Sequence, residues 1–173
     1  LMYTEFSIQL EHAIEECKKM TKGLENLLVI GSPSKVDGNW YNSVYLFCNG
    51  AIIHKYDKQC LPNYDIFNES RYFLVGDNSP IVEWNNKRLA VLICEDIWVN
   101  HSHVKYHKNP IDECKKSEVD LILHISASPF EVDKLTKRFQ ILKDTARTIA
   151  SPIISVNQVG AYNEIIFDGQ SMV

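Results

Sequence analysis

Cys94 closes the apolar run Leu89-Ala-Val-Leu-Ile-Cys94 and is followed at once by Glu95, Asp96, Ile97 and Trp98. That places a thiol at the carboxyl end of a strand, where α/β folds put their ligands. A strand-to-turn junction can present the sulfur while aiming the next backbone N–H at a developing oxyanion, so the chemistry on offer is thiolate attack on an amide or related carbon. The plain alternative is a buried structural cysteine, because free cysteine is among the most buried residue types. A thiol becomes a thiolate beside a cation, a helix N-terminus or a base. Lys58 is the candidate cation, weighed against the usual fate of a loop lysine as a solvated charge. Glu69 lies in the same segment, where an ion pair with Arg71 or a loop hydrogen bond competes with a role in a site. Cys60, close to Lys58 in sequence, is the rival nucleophile that spacing alone leaves standing.

These side chains need a frame. From Thr4 to about Lys22, apolar residues at Phe6, Leu10, Ala13, Ile14 and Cys17 keep the spacing of an amphipathic helix over a sheet, with Gly23 as its C-cap. Leu27–Gly31 is a buried-strand pattern, and Tyr41–Cys48 with Ala51–Tyr56 predicts a hairpin across Asn49-Gly50 that runs directly towards Lys58. Between Lys58 and Asp77 periodicity is lost while aromatic and polar residues accumulate, the composition of a segment that lines a site. Strands are predicted at Ile81–Trp84 and Arg88–Cys94 around Asn85-Asn86, a helix from near Pro110 within Lys105–Ser117, a strand at Val119–Ser126, a helix at Lys134–Ala150 and a strand at Ile153–Asn157. Gly160 is expected to open a turn before a strand at Glu164–Phe167, with Asp168-Gly169 turning next and the last apolar residues forming an unfinished strand. The order is mixed α/β with strand-helix-strand units, in one domain over residues 1–173.

At 173 residues, 45% hydrophobic and 23% charged, the chain has the composition of a globular domain. A net charge of -4 offers no broad attraction for phosphate backbones or anionic lipid, so neither nucleic acid nor membrane is expected as a partner. Runs such as Leu89–Cys94 and Val119–Ile125 fall far short of the roughly 20 residues of a membrane span. Five cysteines without a CxxC pair suggest neither a disulfide framework nor a zinc site, and a reducing cytoplasm is the expected setting. His101, His103 and His107 form the one histidine cluster, and a solvated loop is the expected reading over a metal site. GxSxG, GxGxxG and P-loop motifs are absent, as is an SGGxDS-like pyrophosphate loop.

Several motifs together resemble the glutaminase domain of glutamine-dependent NAD(+) synthetases, a branch of the nitrilase (carbon–nitrogen hydrolase) superfamily. Lys58-Gln-Cys-Leu-Pro-Asn-Tyr64, Ile66-Phe-Asn-Glu69 and Arg71-Tyr-Phe73 are similar to the family's K-x-x-LPNY-x-VFDE-x-RYF block. Ile93-Cys94-Glu95-Asp96-Ile97-Trp98 resembles its ICEDLW nucleophile motif, and Ser126-Ala-Ser128-Pro129-Phe130 with Lys134 its substrate loop. Val156-Asn157-Gln-Val-Gly160 through Phe167-Asp168-Gly169 resembles its VN-x-VGG-x-DE-x-x-FDG stretch. The resemblance implies an αββα four-layer sandwich, incomplete here, in which Cys94 attacks the side-chain amide of L-glutamine and releases ammonia. It also implies that Lys58 and the N–H of Glu95 steady the oxyanion, that Glu69 orients the lysine, and that Tyr64, Ser128 and Lys134 hold the substrate. No metal or cofactor is implied for that half-reaction. ATP and Mg belong to the family's synthetase domain, which takes the ammonia to make NAD and lies outside this sequence. Homo-oligomeric assembly is likewise a family expectation.

The superfamily triad is Glu-Lys-Cys, and its general-base Glu belongs to a motif expected ahead of the helix that begins at Thr4, together with the first strand. The expectation is therefore an incomplete domain that turns over glutamine weakly or not at all by itself, since general acid–base help typically contributes about 10²–10⁴-fold. Asn68 stands where the family has Asp, and Ala161-Tyr162-Asn163 where Gly-Gln-Asp is common. The alternatives kept open are a nitrilase-type amidase for another small amide and a non-catalytic binding module.

Overall fold

A computed structural model describes residues 3–102 and 104–173. The chain forms two compact units, one up to Asn78 and one of Ser79–Val173.

The first unit opens with helix α1 (Thr4–Met20), which buries none of its side chains fully. Its sides carry ion pairs a turn apart, Lys18 with Glu15 and Lys19 with Glu16. The Thr21 hydroxyl closes its last turn by donating to the Lys18 carbonyl at 3.0 Å, and Gly23 follows at φ 77°. Phe6 meets Trp40 with ring centroids 6.0 Å apart, and a cavity of about 430 Å³ lies between Leu10 and Ile14 of the helix and Trp40, Tyr45 and Ile52 of the sheet.

That sheet is antiparallel, in the order β1 (Leu28–Val36), β2 (Asn39–Cys48), β3 (Ala51–Asp57). The turn joining β2 to β3 falls at Asn49-Gly50, with φ 47° and 79°, the positive values that a two-residue hairpin requires at both positions. β1 runs on past the expected end at Gly31 and through Pro33. It lies at the edge of this sheet, where a proline need not break a ladder between two neighbours. The 58–77 segment is irregular apart from a short 3-10 turn at Glu69–Arg71.

The second unit is a four-stranded sheet in sequential order: β4 (Ile81–Trp84), β5 (Lys87–Ile93), β6 (Leu121–Ser126), β7 (Ile153–Asn157). β4 and β5 form a hairpin through Asn85 and Asn86, at φ 49° and 59°, while β5, β6 and β7 run parallel. Two helices make the crossovers: α2 (Pro110–Lys116), capped by the Asn109 side chain accepting from the Ile111 N–H, and α3 (Lys134–Ile149). Ala90, Leu92, Ile97, Ile111, Ile122, Ile141, Leu142, Ile149 and Ile153 form the core beneath them. Each of the leucine and isoleucine side chains contributes about 1.5–3 kcal/mol by leaving water.

One expected boundary moves. Gly160 lies inside β8 (Val159–Tyr162), which pairs with β9 (Ile165–Asp168), so it does not open a turn. The reversal occurs at Asn163, whose φ of 53° supplies the left-handed residue, while Gly160 pairs with Phe167. Near the end of the described chain, Met172 bridges Ser155 alongside β7.

Candidate active site

In the first unit, β3 leads into Lys58, and the backbone fixes that residue from two sides. Its N–H donates to the Asn42 carbonyl on β2 at 2.8 Å, and its carbonyl accepts from the Gly76 N–H at 2.9 Å. The side chain is 1% exposed, far from the solvated loop lysine of the plain reading, and its Nζ lies 2.6 Å from Glu69 Oε1. Asn42 Nδ2 donates to the other carboxylate oxygen of Glu69 at 3.2 Å. Glu69 thus pairs with Lys58, while Arg71 lies over the Tyr72 ring. Inside a protein such a charge pair is kept only where the geometry is good and further hydrogen bonds support it. Tyr64 is 37% exposed and meets Phe67 edge-on. Cys60, the rival nucleophile, is fully buried.

In the second unit, β5 ends at Ile93 and Cys94 begins a 3-10 turn, Cys94–Ile97. The structure places Cys94 just past the strand, at φ 44°. An L-residue in the left-handed region costs about 1–2 kcal/mol, so the neighbouring structure must hold it there. Part of that hold is Asp96, fully buried, whose carboxylate accepts from the Ile93 N–H at 2.9 Å and ties the turn to the strand. Glu95 is 4% exposed, and the Tyr106 hydroxyl donates to its Oε1 at 2.8 Å. Cys94 is partly exposed, whereas Cys114, on the buried face of α2, has its thiol pushed up to about 12 by burial. A thiol of that kind is inert at neutral pH, and exposure separates the two cysteines as candidates. No disulfide joins the described cysteines.

Ser128 lies in the loop after β6, 4% exposed, and is held at both ends of its backbone by one side chain. Its N–H donates to Asn157 Oδ1 at 2.8 Å, and its carbonyl accepts from Asn157 Nδ2 at 3.3 Å. Arg138 of α3, 2% exposed, reaches the Ser128 hydroxyl at 3.4 Å, Asp168 at 3.2 Å and the Gly169 carbonyl at 3.3 Å. Lys134 starts α3 one turn earlier and pairs loosely with Glu131 at 3.4 Å. Four residues to which sequence reasoning gave no role therefore support these candidates: Asn42, Asn157, Arg138, and His124, whose Nε2 lies 3.3 Å from the Cys94 carbonyl oxygen. His124 carried a signal, a polar residue inside the apolar run Leu121–Ile125; the others act through contacts distant in sequence.

Of the three clustered histidines, His103 lies outside the described residues. Among the described residues, no group of three or more His, Cys, Asp or Glu is placed to hold a metal ion. Nor is any described helix long and apolar enough to cross a membrane.

The carbon-nitrogen hydrolase family model matches residues 3–173, and the chain belongs to that family. Among curated proteins, it is 33% identical over 164 residues to the glutamine-dependent NAD(+) synthetase of Acinetobacter baylyi, covering 90% of this chain and 29% of that protein. Among solved structures, it resembles the glutamine-dependent NAD+ synthetase from Acinetobacter baumannii in complex with ADP, with a TM-score of 0.82, 30% identity, and coverage of 97% of this chain and 31% of that one. The carbon-nitrogen hydrolase from Helicobacter pylori G27, at 22% identity and TM-score 0.77 over 99% of this chain and 63% of that one, shares the fold. The chain thus spans under a third of the length of the synthetases it matches. Its fold is that of the nitrilase superfamily.

Proposed function

We propose that this chain carries the glutamine-hydrolysing chemistry of a glutamine-dependent NAD(+) synthetase. Cys94 Sγ attacks the side-chain amide carbon of L-glutamine. The carbonyl oxygen takes up negative charge, which the Glu95 N–H and the Lys58 ammonium offset. The proton that the Cys94 thiol gives up passes to the amide nitrogen, collapse of the intermediate breaks the C–N bond, ammonia leaves, and the glutamyl thioester left on Cys94 is hydrolysed by water to glutamate and the free thiol. Glu69 orients Lys58. Tyr64, Ser128 and Lys134 hold the substrate, Lys134 as a charge partner for its carboxylate. The half-reaction needs no metal or cofactor; ATP and Mg serve the synthetase step, whose domain is the partner that receives the ammonia. A reducing cytoplasm suits a catalytic thiol.

The observation that carries this reading is the pairing of buried Lys58 with Glu69 at 2.6 Å, inside the block that resembles the LPNY motif. The overall likeness to NAD(+) synthetases favours glutamine over other small amides.

The test is intact-mass spectrometry after incubation with 6-diazo-5-oxo-norleucine, with peptide mapping and glutamine as competitor. A single adduct on Cys94 that glutamine suppresses is the expected result. Equal labelling of all five cysteines, or protection by another small amide but not by glutamine, overturns the reading.

A further inference from the structure

We propose that His124 and Ser155 brace the carbonyl of Cys94 and thereby aim the backbone N–H of Glu95, making His124 a positioning residue for acyl transfer at Cys94. The proposal rests on Cys94 being the nucleophile.

The sheet register builds the brace. Leu92 of β5, His124 of β6 and Ser155 of β7 stand opposite one another in one row across the parallel strands. The row below it, Ala90, Ile122 and Ile153, is entirely apolar and belongs to the core. A histidine and a serine in the next row therefore depart from the core pattern just beneath the carboxyl end, where Cys94 leaves β5. His124 is 1% exposed and Ser155 3%. Buried polar groups are placed so as to find partners, and these two have them. His124 Nε2 lies 3.3 Å from the Cys94 carbonyl oxygen, and Nδ1 lies 2.8 Å from Ser155 Oγ.

The roles follow from chemistry. A carbonyl oxygen only accepts, so Nε2 carries a proton and donates to Cys94; Nδ1 then accepts from the Ser155 hydroxyl. Ser155 is itself fixed, since its N–H donates to the Met172 carbonyl at 2.8 Å and its carbonyl accepts from the Met172 N–H at 2.9 Å.

The Cys94 carbonyl and the Glu95 N–H belong to one planar trans peptide and point in opposite directions. Fixing the first therefore fixes the second. Cys94 sits at φ 44°, a strained conformation that its surroundings must hold, and the Asp96 carboxylate holds it from the Ile93 side. The imidazole holds it from the carbonyl side, and the N–H it aims is the oxyanion donor of the proposed reaction.

The test uses two electrophiles on the full chain. Acylation by p-nitrophenyl acetate passes through an oxyanion: the thiolate forms a C–S bond and p-nitrophenolate leaves. Alkylation by iodoacetamide is a displacement of iodide with no oxyanion. His124→Met and His124→Gln have similar volume, but only the glutamine amide can donate to the Cys94 carbonyl. His124→Met is expected to slow acylation of Cys94 about tenfold or more while alkylation changes by no more than about twofold, and His124→Gln to restore most of the acylation rate. Should His124→Met not fold, Ser155→Ala keeps the imidazole but takes the hydroxyl away from Nδ1, and a selective acylation loss of about threefold is expected. Equal acylation by the Met and Gln variants, or equal slowing of both reactions, overturns the brace. Glutamine protection of Cys94 in the parent is scored separately: its absence refutes the glutamine reading and leaves the brace standing if the Met and Gln variants differ.

Discussion

Glu69 joins Lys58 to Asn42: one carboxylate oxygen takes the lysine Nζ at 2.6 Å, and the other takes the asparagine amide at 3.2 Å. The Asn42 carbonyl meanwhile accepts from the Lys58 N–H, so one β2 residue contacts both members of the pair. Replacing Glu69 by Gln takes this counter-charge away from a buried ammonium. Because the carboxylate is 19% exposed, the expected loss is about 2–3 kcal/mol, below the roughly 3–5 kcal/mol that breaking a fully buried pair costs. Asn42→Ala should cost about 1 kcal/mol, and the two changes should combine non-additively because they share one partner. Urea unfolding of the singles and the double variant measures this; full additivity would separate Asn42 from the pair.

Gly76 makes a second prediction about the same lysine. A Cβ at this position would overlap the backbone carbonyl of Asp57, and the Gly76 N–H donates to the Lys58 carbonyl. The demand here is for space, since Gly76 is not among the positive-φ glycines. Gly76→Ala must push the segment away from β3, with an expected loss of about 2–3 kcal/mol. The same variant should weaken glutamine protection of Cys94 if Lys58 acts in the reaction. Thermal unfolding together with the labelling assay checks both.

Local chemistry explains how much of this is visible in the sequence. Asn49-Gly50 and Asn85-Asn86 are legible as turns because a positive φ is a property of the residues themselves. The parallel strands are legible because their apolar runs are short and flanked by turn residues. Lys58 is legible only through its motif, since nothing in a loop lysine announces 1% exposure. Asn42 is not legible and Asn157 is legible only as part of a motif, without its role, because their bonds to Glu69 and Ser128 depend on which strands and loops meet. Gly160 misleads for a related reason: glycine usually marks a turn, but the pairing of β8 with β9 moves the reversal to Asn163.

Cys114 predicts an alkaline weakness. Burial raises its thiol from 9.0 to about 12 in the folded chain, so between those values the folded form holds a proton that the unfolded form has released. Stability from this group is fully present below pH 9 and falls as pH rises towards 12. The slope is at most about 1.4 kcal/mol per pH unit. Cys114→Ala should lower stability at pH 8 by about 1 kcal/mol through the lost packing and flatten the decline between about pH 9 and 10. Unfolding midpoints at three pH values decide it; an unchanged slope refutes the assignment.

Asn157 gives the sharpest comparison. Its Oδ1 accepts from the Ser128 N–H, while its Nδ2 faces three oxygens, those of the Ser128 and Gly169 carbonyls and Asp168 Oδ1. Alanine deletes these bonds and leaves the Ser128 loop less well held, at an expected cost of about 2 kcal/mol. Aspartate is nearly the same size but sets a carboxylate oxygen where the donor stood, against three acceptors and in a buried place. It should therefore cost more than alanine, about 4 kcal/mol at pH 8, and recover part of that as the pH falls and the new carboxyl takes a proton it can donate. Urea unfolding of both variants at pH 8 and pH 5 measures the order. An Asn157→Asp chain as stable as the Asn157→Ala chain would mean that the amide nitrogen donates nothing of value, and the loop carrying Ser128 would then be held by Arg138 and by the backbone bond from the Phe130 N–H to the Ile166 carbonyl.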